Sequence, residues 1–308
     1  MNIREAYEKF ATDEQCLAYI GKMRWPDGVV RCAACGSKEV KRVDRKADSK
    51  NRRKWFYLCV EKSCHNQFTP TSGTIFHDTH LPLIVWFQAI ALVLNAKKGI
   101  SAKQLQRDLG IGGYKTAWYL NHRIREAMAE GAIPKLGGVV EVDETYVGGK
   151  QRGHTGKLKS KDVVMGIRER GGELRLIQIE SNSSDNLSEQ IEKHIDPSVK
   201  MIVTDEWHAY PRAMMGAGIH GSKHETIKHK DKIYVRGEVH TNTVESAFSL
   251  FKRGLTGSFH AVSIKHLQRY LNEFSYRFNR RADDGAFLET VRRLAGFKPL
   301  TFARLTSE

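Results

Sequence analysis

Nowhere does this 308-residue chain hold an uninterrupted apolar run of the roughly 20 residues that a membrane-crossing helix needs. Its most apolar stretch, LPLIVWFQAIALVL from Leu81 to Leu94, reads as a core helix instead, so no membrane partner is expected. The amino terminus, MNIREAYEKF, carries charges every few residues and no apolar h-region, which argues against a secretory leader and for the cytoplasm. Cysteine is scarce: five residues, an odd number, speak for reduced thiols or a metal site rather than a disulfide framework. There is no long internal repeat and no low-complexity tail, which sets repeat architectures aside. Acidic residues are outnumbered, 35 Asp and Glu against 50 Lys and Arg, leaving a formal charge of +15 and a pI near 9.6. A surplus of that size favours a polyanionic partner, nucleic acid before membrane, and says nothing about fold.

What is present divides the chain into parts, as its length suggests. Residues 1–30 read as an N-terminal helical segment, with helical periods over Ile3–Tyr7 and Glu14–Met23 before a Trp25-Pro26-Asp27-Gly28 turn. Residues 31–76 are punctuated by cysteine, basic and strand-like. Residues 77–132 carry helical spacing. Residues 133–285 open with strands over Val139–Val147, Val163–Arg168 and Leu174–Glu180. A helix near Leu187–His194 and a strand over Met201–Thr204 follow, and the helical period returns from Thr241 to about Arg281. Strands followed by a helix and another strand imply an α/β sheet with mixed pairing. Residues 286–308 are left as a C-terminal tail.

Two cysteine pairs stand out. Two residues separate Cys32 from Cys35, and four separate Cys59 from Cys64. Short loops of this kind present four thiolates to one structural Zn²⁺, with Gly36 allowing a tight turn after the first pair. Cys16 lies outside the pattern and reads as a core residue, and His65 finds no vacancy in a four-cysteine site. Between the pairs, Arg31 to Lys54 holds ten Lys and Arg against three Asp and Glu, a charge suited to phosphates. Further on, ISAKQLQRDLGIGGYKTAWYLNHRIREAM has the outline of a helix-turn-helix broken at Gly110, Gly112 and Gly113. Its second helix is expected to expose Lys115, Thr116, Tyr119, His122 and Arg123 towards DNA.

The carboxylates are placed by strand parity. In VEVDETYVGGK, Glu141 and Asp143 share one face, whereas Glu144 falls on the other and faces away. Gly148, Gly149 and Lys150 close the strand with a basic turn that lets DNA approach. Asp205 ends the apolar run Met201-Ile202-Val203, where α/β sheets build sites. Glu245 falls early on a helix, with Lys252 about two turns further along its face. Two aspartates and a glutamate from separate segments suit a pair of Mg²⁺ or Mn²⁺ ions about 3.5–4 Å apart.

These residues resemble a known family, the DDE transposases of bacterial insertion sequences. The nearest group is the zinc-ribbon ISXO-two-like one, related to the Merlin elements. The matching text is CAACG, CHNQFTPTSGTIF, VEVDETYVGGK, VTDEWHAY, HTNTVESAFSLFKRGLTGSFHAVS and LQRYLNEFSYRFNRR, in that order. The resemblance implies a multidomain chain: zinc ribbon (31–76), helix-turn-helix segment (77–132) and an α/β ribonuclease-H-like catalytic domain with a mixed sheet (133–285). It implies an acidic triad of Asp143, Asp205 and Glu245, accompanied by Lys252, with Asn242 as a supporting ligand; Glu141, on the strand face of Asp143, reads as supporting or structural. It further implies two catalytic Mg²⁺ (or Mn²⁺) ions and double-stranded DNA as partner, at terminal inverted repeats and target. A homodimer or higher oligomer would bring the ends together in a nucleoid-associated, bacterial setting. The wider gap between Cys59 and Cys64 departs from the family's usual two residues without removing a ligand. Two rival readings are a DNA-binding regulator that has lost catalysis and a stand-alone metal-dependent nuclease.

Overall fold

A computed structural model describes residues 1–46, 48, 50, 53–129, 131, 134–148, 162–227, 235 and 237–307. The chain forms two units: Met1–Met128 with Asp283–Glu308, and Ala129–Ala282.

The first unit begins with α1 (Ile3–Lys9) and α2 (Asp13–Arg24). Both start on capping boxes, Asn2 with Glu5 and Thr12 with Gln15, which satisfy amides that a helix start otherwise leaves unpaired. A three-stranded antiparallel sheet follows, ordered β1 (Val40–Asp44), β2 (Trp55–Cys59) and β3 (Gln67–Phe68). Trp25 packs edge-on to Tyr57 and Phe68 beneath it. The apolar run becomes α3 (Leu83–Asn95), buried along most of its length. Pro82 offers this helix no side-chain cap, and Asp13 accepts from Ile84 N at 3.0 Å instead. Next come α4 (Ala102–Asp108), capped by Ser101, and α5 (Tyr114–Ala127), with Gly110 at φ +61° in the turn between them.

The second unit is a five-stranded mixed sheet with helices on both faces. Its strands are β4 (Val139–Val147), β5 (Asp162–Glu169), β6 (Leu174–Ile179), β7 (Met201–Thr204) and β8 (His224–Thr226). Their order across the sheet is β6-β5-β4-β7-β8. Pairing is antiparallel from β6 to β4 and parallel from β4 to β8. Helices α6 (Ser184–His194) and α7 (Tyr210–Gly216) bury Leu187, Ile191, Ala213 and Met214 against Val140, Val142, Met165 and Ile167. On the opposite face, α8 (Asn242–Gly254) and α9 (Leu267–Asn279) pack Val244, Phe248, Phe251, Leu271 and Phe274 over Val164, Leu174 and Leu176. The mixed pairing read from the strand pattern is what the structure shows.

The last residues differ from a tail. Within the first unit, α10 (Ala286–Gly296) buries Phe287, Val291, Leu294 and Ala295, and α11 (Phe302–Ser307) buries Leu305. Phe10 stacks on Phe287 at 5.7 Å, and Ile75 N donates to Leu294 O. The apolar spacing of AFLETVRRLAG is that of a helix with one buried face, so burial rather than fraying is its physical preference.

One close approach sets the position of α8. A Cβ on Gly166 of β5 would stand 2.6 Å from Phe248 Cζ and 2.7 Å from Val244 Cγ2. The missing side chain is thus what lets α8 lie flat on the sheet. Gly166→Ala should destabilise the protein by about 1–3 kcal/mol, because a packed core admits no extra methyl without shifting α8. Denaturant unfolding checks this, and a loss under ~0.5 kcal/mol would show that the contact yields freely.

Candidate functional site

The cysteine site is built by the loops flanking β1 and β2. Cys32 and Cys35 precede β1, Cys59 ends β2, and Cys64 lies on the turn that follows. Cys32 Sγ and Cys64 Sγ are 3.7 Å apart, as are Cys35 Sγ and Cys59 Sγ. A tetrahedron with Zn–S bonds of about 2.3 Å has edges of about 3.8 Å, so the thiols fit zinc without rearrangement. Ala34 N (3.4 Å) and Asn66 Nδ2 (3.8 Å) point at Cys32 Sγ, the outer hydrogen bonding that a thiolate wants. Burial pushes the Cys32 thiol up, but hydrogen bonds from the Cys35 and Ala34 amides and from neighbouring thiols outweigh it and lower it to about 6. Cys59, buried, is pushed up to about 12. The wider Cys59–Cys64 gap is absorbed by a turn in which the amides of Cys64 and His65 both donate to Glu61 O, with His65 at φ +46°. Cys16 is buried in α2, and desolvation pushes its thiol to about 12, as befits an inert core residue.

The acids gather at one end of the second unit's sheet. β4 and β7 run parallel with Glu141 opposite Val203. Asp143 lies two residues further along β4, and Asp205 follows the end of β7, within electrostatic reach of it. Gly166 is Asp143's partner on β5, and α8 lies over that glycine with Glu245 in its first turn. Burial pushes the Asp143 carboxyl up to about 8; Glu144, Asp205 and Glu245 add to the rise, and the Glu144 amide, donating to Asp143 Oδ1 at 2.8 Å, opposes it. Asp205 Oδ1 accepts from Trp207 N at 3.0 Å, while Glu245 Oε1 accepts from Thr241 Oγ1 at 2.6 Å. Among the described residues, the four cysteines are the group of potential ligands whose atoms all lie within 4.8 Å of one another; the three acids do not close that far. Lys252 and Asn242 are exposed on α8.

Parity sends Glu144 to the other face, where the buried Tyr210 hydroxyl donates to its Oε1. Facing away does not isolate it. Burial and then Asp205 push the Glu144 carboxyl up to about 7, with the Tyr210 bond opposing. Sequence parity tells which face a side chain leaves from, not how far its charge reaches past a strand end. Glu141 is fully buried and accepts from Arg170, Thr243 and Val244.

The helix-turn-helix expectation needs correction at two residues. His122 and Arg123 are buried, not exposed. His122 packs against Trp118 at 4.3 Å between ring centroids. Arg123 donates to the carbonyls of Ile75 and His77 and lies 4.8 Å from the centre of the Trp86 ring. α5 is packed against by α3 and α10, so the polar run Asn121–Arg125 is turned inward. Tyr119 is half-buried and donates to Leu300 O, beside Phe302. Lys115 and Thr116 remain exposed at the start of the helix, next to the exposed Tyr114. Lys150 lies outside the described residues.

A pH dependence follows from Asp143. Its pKa is raised on folding, from an ordinary carboxylate value near 3.8 to about 8, so between these limits the folded state binds the proton more tightly. Stability from this group is complete below about 4 and is lost as pH rises through about 8. Asp143→Asn removes that dependence. In metal-free buffer its melting temperature should gain on the wild type as pH rises from about 4 to 8. A difference that stays flat across that window would show that Asp143 titrates normally.

Comparison with known proteins agrees with this layout. The family model of the ISXO2-like transposase domain matches residues 135–279, and that of the transposase zinc-ribbon domain matches residues 11–67. A protein described as "Uncharacterized protein in transposable element ISH50", from Halobacterium salinarum, is 27% identical over 285 residues, covering 87% of this chain and 91% of that protein. That relative is archaeal, so it lends no support to a bacterial source. Among the described residues no helix is long and apolar enough to cross a membrane. With a transposase zinc ribbon and an ISXO2-like domain following each other in order, the chain belongs to the ISXO2-like transposases.

Proposed function

We propose that the chain is an insertion-sequence transposase that cuts DNA at terminal inverted repeats and joins the freed 3′-hydroxyls to target DNA. In the first step a water oxygen attacks phosphorus and the P–O bond to the 3′ oxygen breaks. In the second, that 3′-hydroxyl attacks a target phosphodiester and displaces the target's own 3′ oxygen. The sheet, with three antiparallel strands extended by two parallel ones, supports reading the second unit as ribonuclease-H-like.

The observation that supports the proposal best is the Asp143 carboxyl, pushed up to about 8 by burial with Glu144, Asp205 and Glu245 adding to the rise. Crowded carboxylates of this kind are ordinarily relieved by a cation. Asp143, Asp205 and Glu245 would hold it, with Asn242 available beside Glu245. Two Mg²⁺ or Mn²⁺ ions, when bound there, supply activation of the attacking oxygen and stabilisation of the departing one. The chain's own residues do the rest. Lys252, exposed in the last turn of α8, offers a cation to a phosphate, and Lys115 and Thr116 at the start of α5 offer contacts to DNA. The zinc ribbon's basic hairpin adds sequence-independent attraction. Joining two ends calls for a homodimer or higher oligomer on the DNA.

End-labelled repeat DNA and a plasmid target with Mg²⁺ or Mn²⁺ test the reading. Asp143→Asn is expected to abolish cleavage, by at least about a hundredfold, while repeat binding stays within a few fold. Retained cleavage would remove Asp143 from the site. Cleavage without joining by the wild type would favour a nuclease, and binding without either a regulator.

A further inference from the structure

We infer that Glu141 is a positioning residue: it ties the first turn of α8 to β4 and so sets the separation between Asp143 and Glu245. The inference rests on the proposed acidic site. Glu141 is fully buried, yet its carboxylate oxygens are well supplied with donors. Oε2 accepts from Thr243 N (2.9 Å), Thr243 Oγ1 (2.8 Å) and Val244 N (3.1 Å), and Oε1 accepts from Arg170 Nε (2.7 Å). His240 Nδ1 lies 3.2 Å from Oε1, at ion-pair distance but off the line of a hydrogen bond.

The two amides belong to the second and third residues of α8. A cap side chain at Thr241 would ordinarily satisfy them. Thr241 does not: its hydroxyl goes to Glu245 Oε1 at 2.6 Å. A residue of a different element therefore caps the helix, and the native cap residue is released to hold the Glu245 carboxylate. Glu141 stands two residues before Asp143 on the same face of β4, and Thr243 lies in the same first turn of α8 as Glu245. Bonds between Glu141 and Thr243 thus fasten strand and helix one step away from the acids they carry. Arg170 completes the arrangement. Besides neutralising Glu141 it donates to the carbonyls of His240 and Glu238, fixing the segment that leads into α8.

The full-length, zinc-loaded protein can test this with two variants. Glu141→Gln keeps the shape but turns an amide NH₂ towards either Arg170 or the helix amides, and Thr243→Val removes one bond while keeping the volume. Hydrogen exchange of the first turn of α8 reports the cap, and calorimetric titration with Mn²⁺ reports the acids. Glu141→Gln should speed exchange in that turn and weaken Mn²⁺ binding by about tenfold, and Thr243→Val should weaken it by about threefold. Asp143→Asn should lose Mn²⁺ binding with the exchange unchanged. Faster exchange with unaltered Mn²⁺ affinity makes Glu141 a structural cap only and overturns the inference, as does unaltered exchange. Should Glu141→Gln fail to fold, Thr243→Val decides by the same two readings. A wild type without Asp143-dependent Mn²⁺ binding overturns the acidic site itself, whatever exchange shows.

Discussion

The contact between α8 and the sheet governs the second unit. Gly166 removes the side chain that would hold the helix away, and Val244 and Phe248 fill the space. Burying side chains of this size stabilises by about 1.5–3 kcal/mol each, which is enough to fix the helix face but not its sliding along the strand. Sliding is resisted by directional bonds, those from Thr243 and Val244 to Glu141. Apolar packing thus chooses the face and polar bonding chooses the register. Without both, Glu245 has no fixed relation to Asp143.

The same division of labour appears in the first unit. Packing of Trp25 against Tyr57 and Phe68 supports the ribbon, while four thiols within zinc-ligand reach determine its loops. A three-stranded sheet whose last strand is two residues long buries little, and a structural metal is the usual remedy for so small a core. The helical remainder has the opposite character: α3 is apolar nearly throughout and is enclosed within the unit.

Much of this was legible in the sequence, and the reasons differ from residue to residue. Cys32, Cys35, Cys59 and Cys64 were readable because zinc demands a fixed ligand number at short loop spacing. Asp143 and Asp205 stand out in the sequence because a carboxylate within or just after an apolar strand has few structural uses. His122 and Arg123 are buried against expectation, because helical periodicity locates an apolar stripe but not the second and third partners that cover the polar side. Arg123 is tolerated inside because backbone carbonyls of Ile75 and His77 accept from it, partners far away in sequence. The partners of Glu141 on α8 are hidden for the same reason, since those bonds span about a hundred residues. Residues 286–308 fold as two helices rather than a tail, and only the apolar face of AFLETVRRLAG hints at this. Nothing local reveals that such a face is buried against helices from the start of the chain.

The central claim is that β4, β7 and α8 together form one divalent-metal site. Anomalous diffraction from crystals soaked in Mn²⁺ tests it most directly. The account predicts manganese density bounded by the carboxylates of Asp143, Asp205 and Glu245. Manganese bound elsewhere, or bound to Asp143 and Asp205 without Glu245, would contradict it.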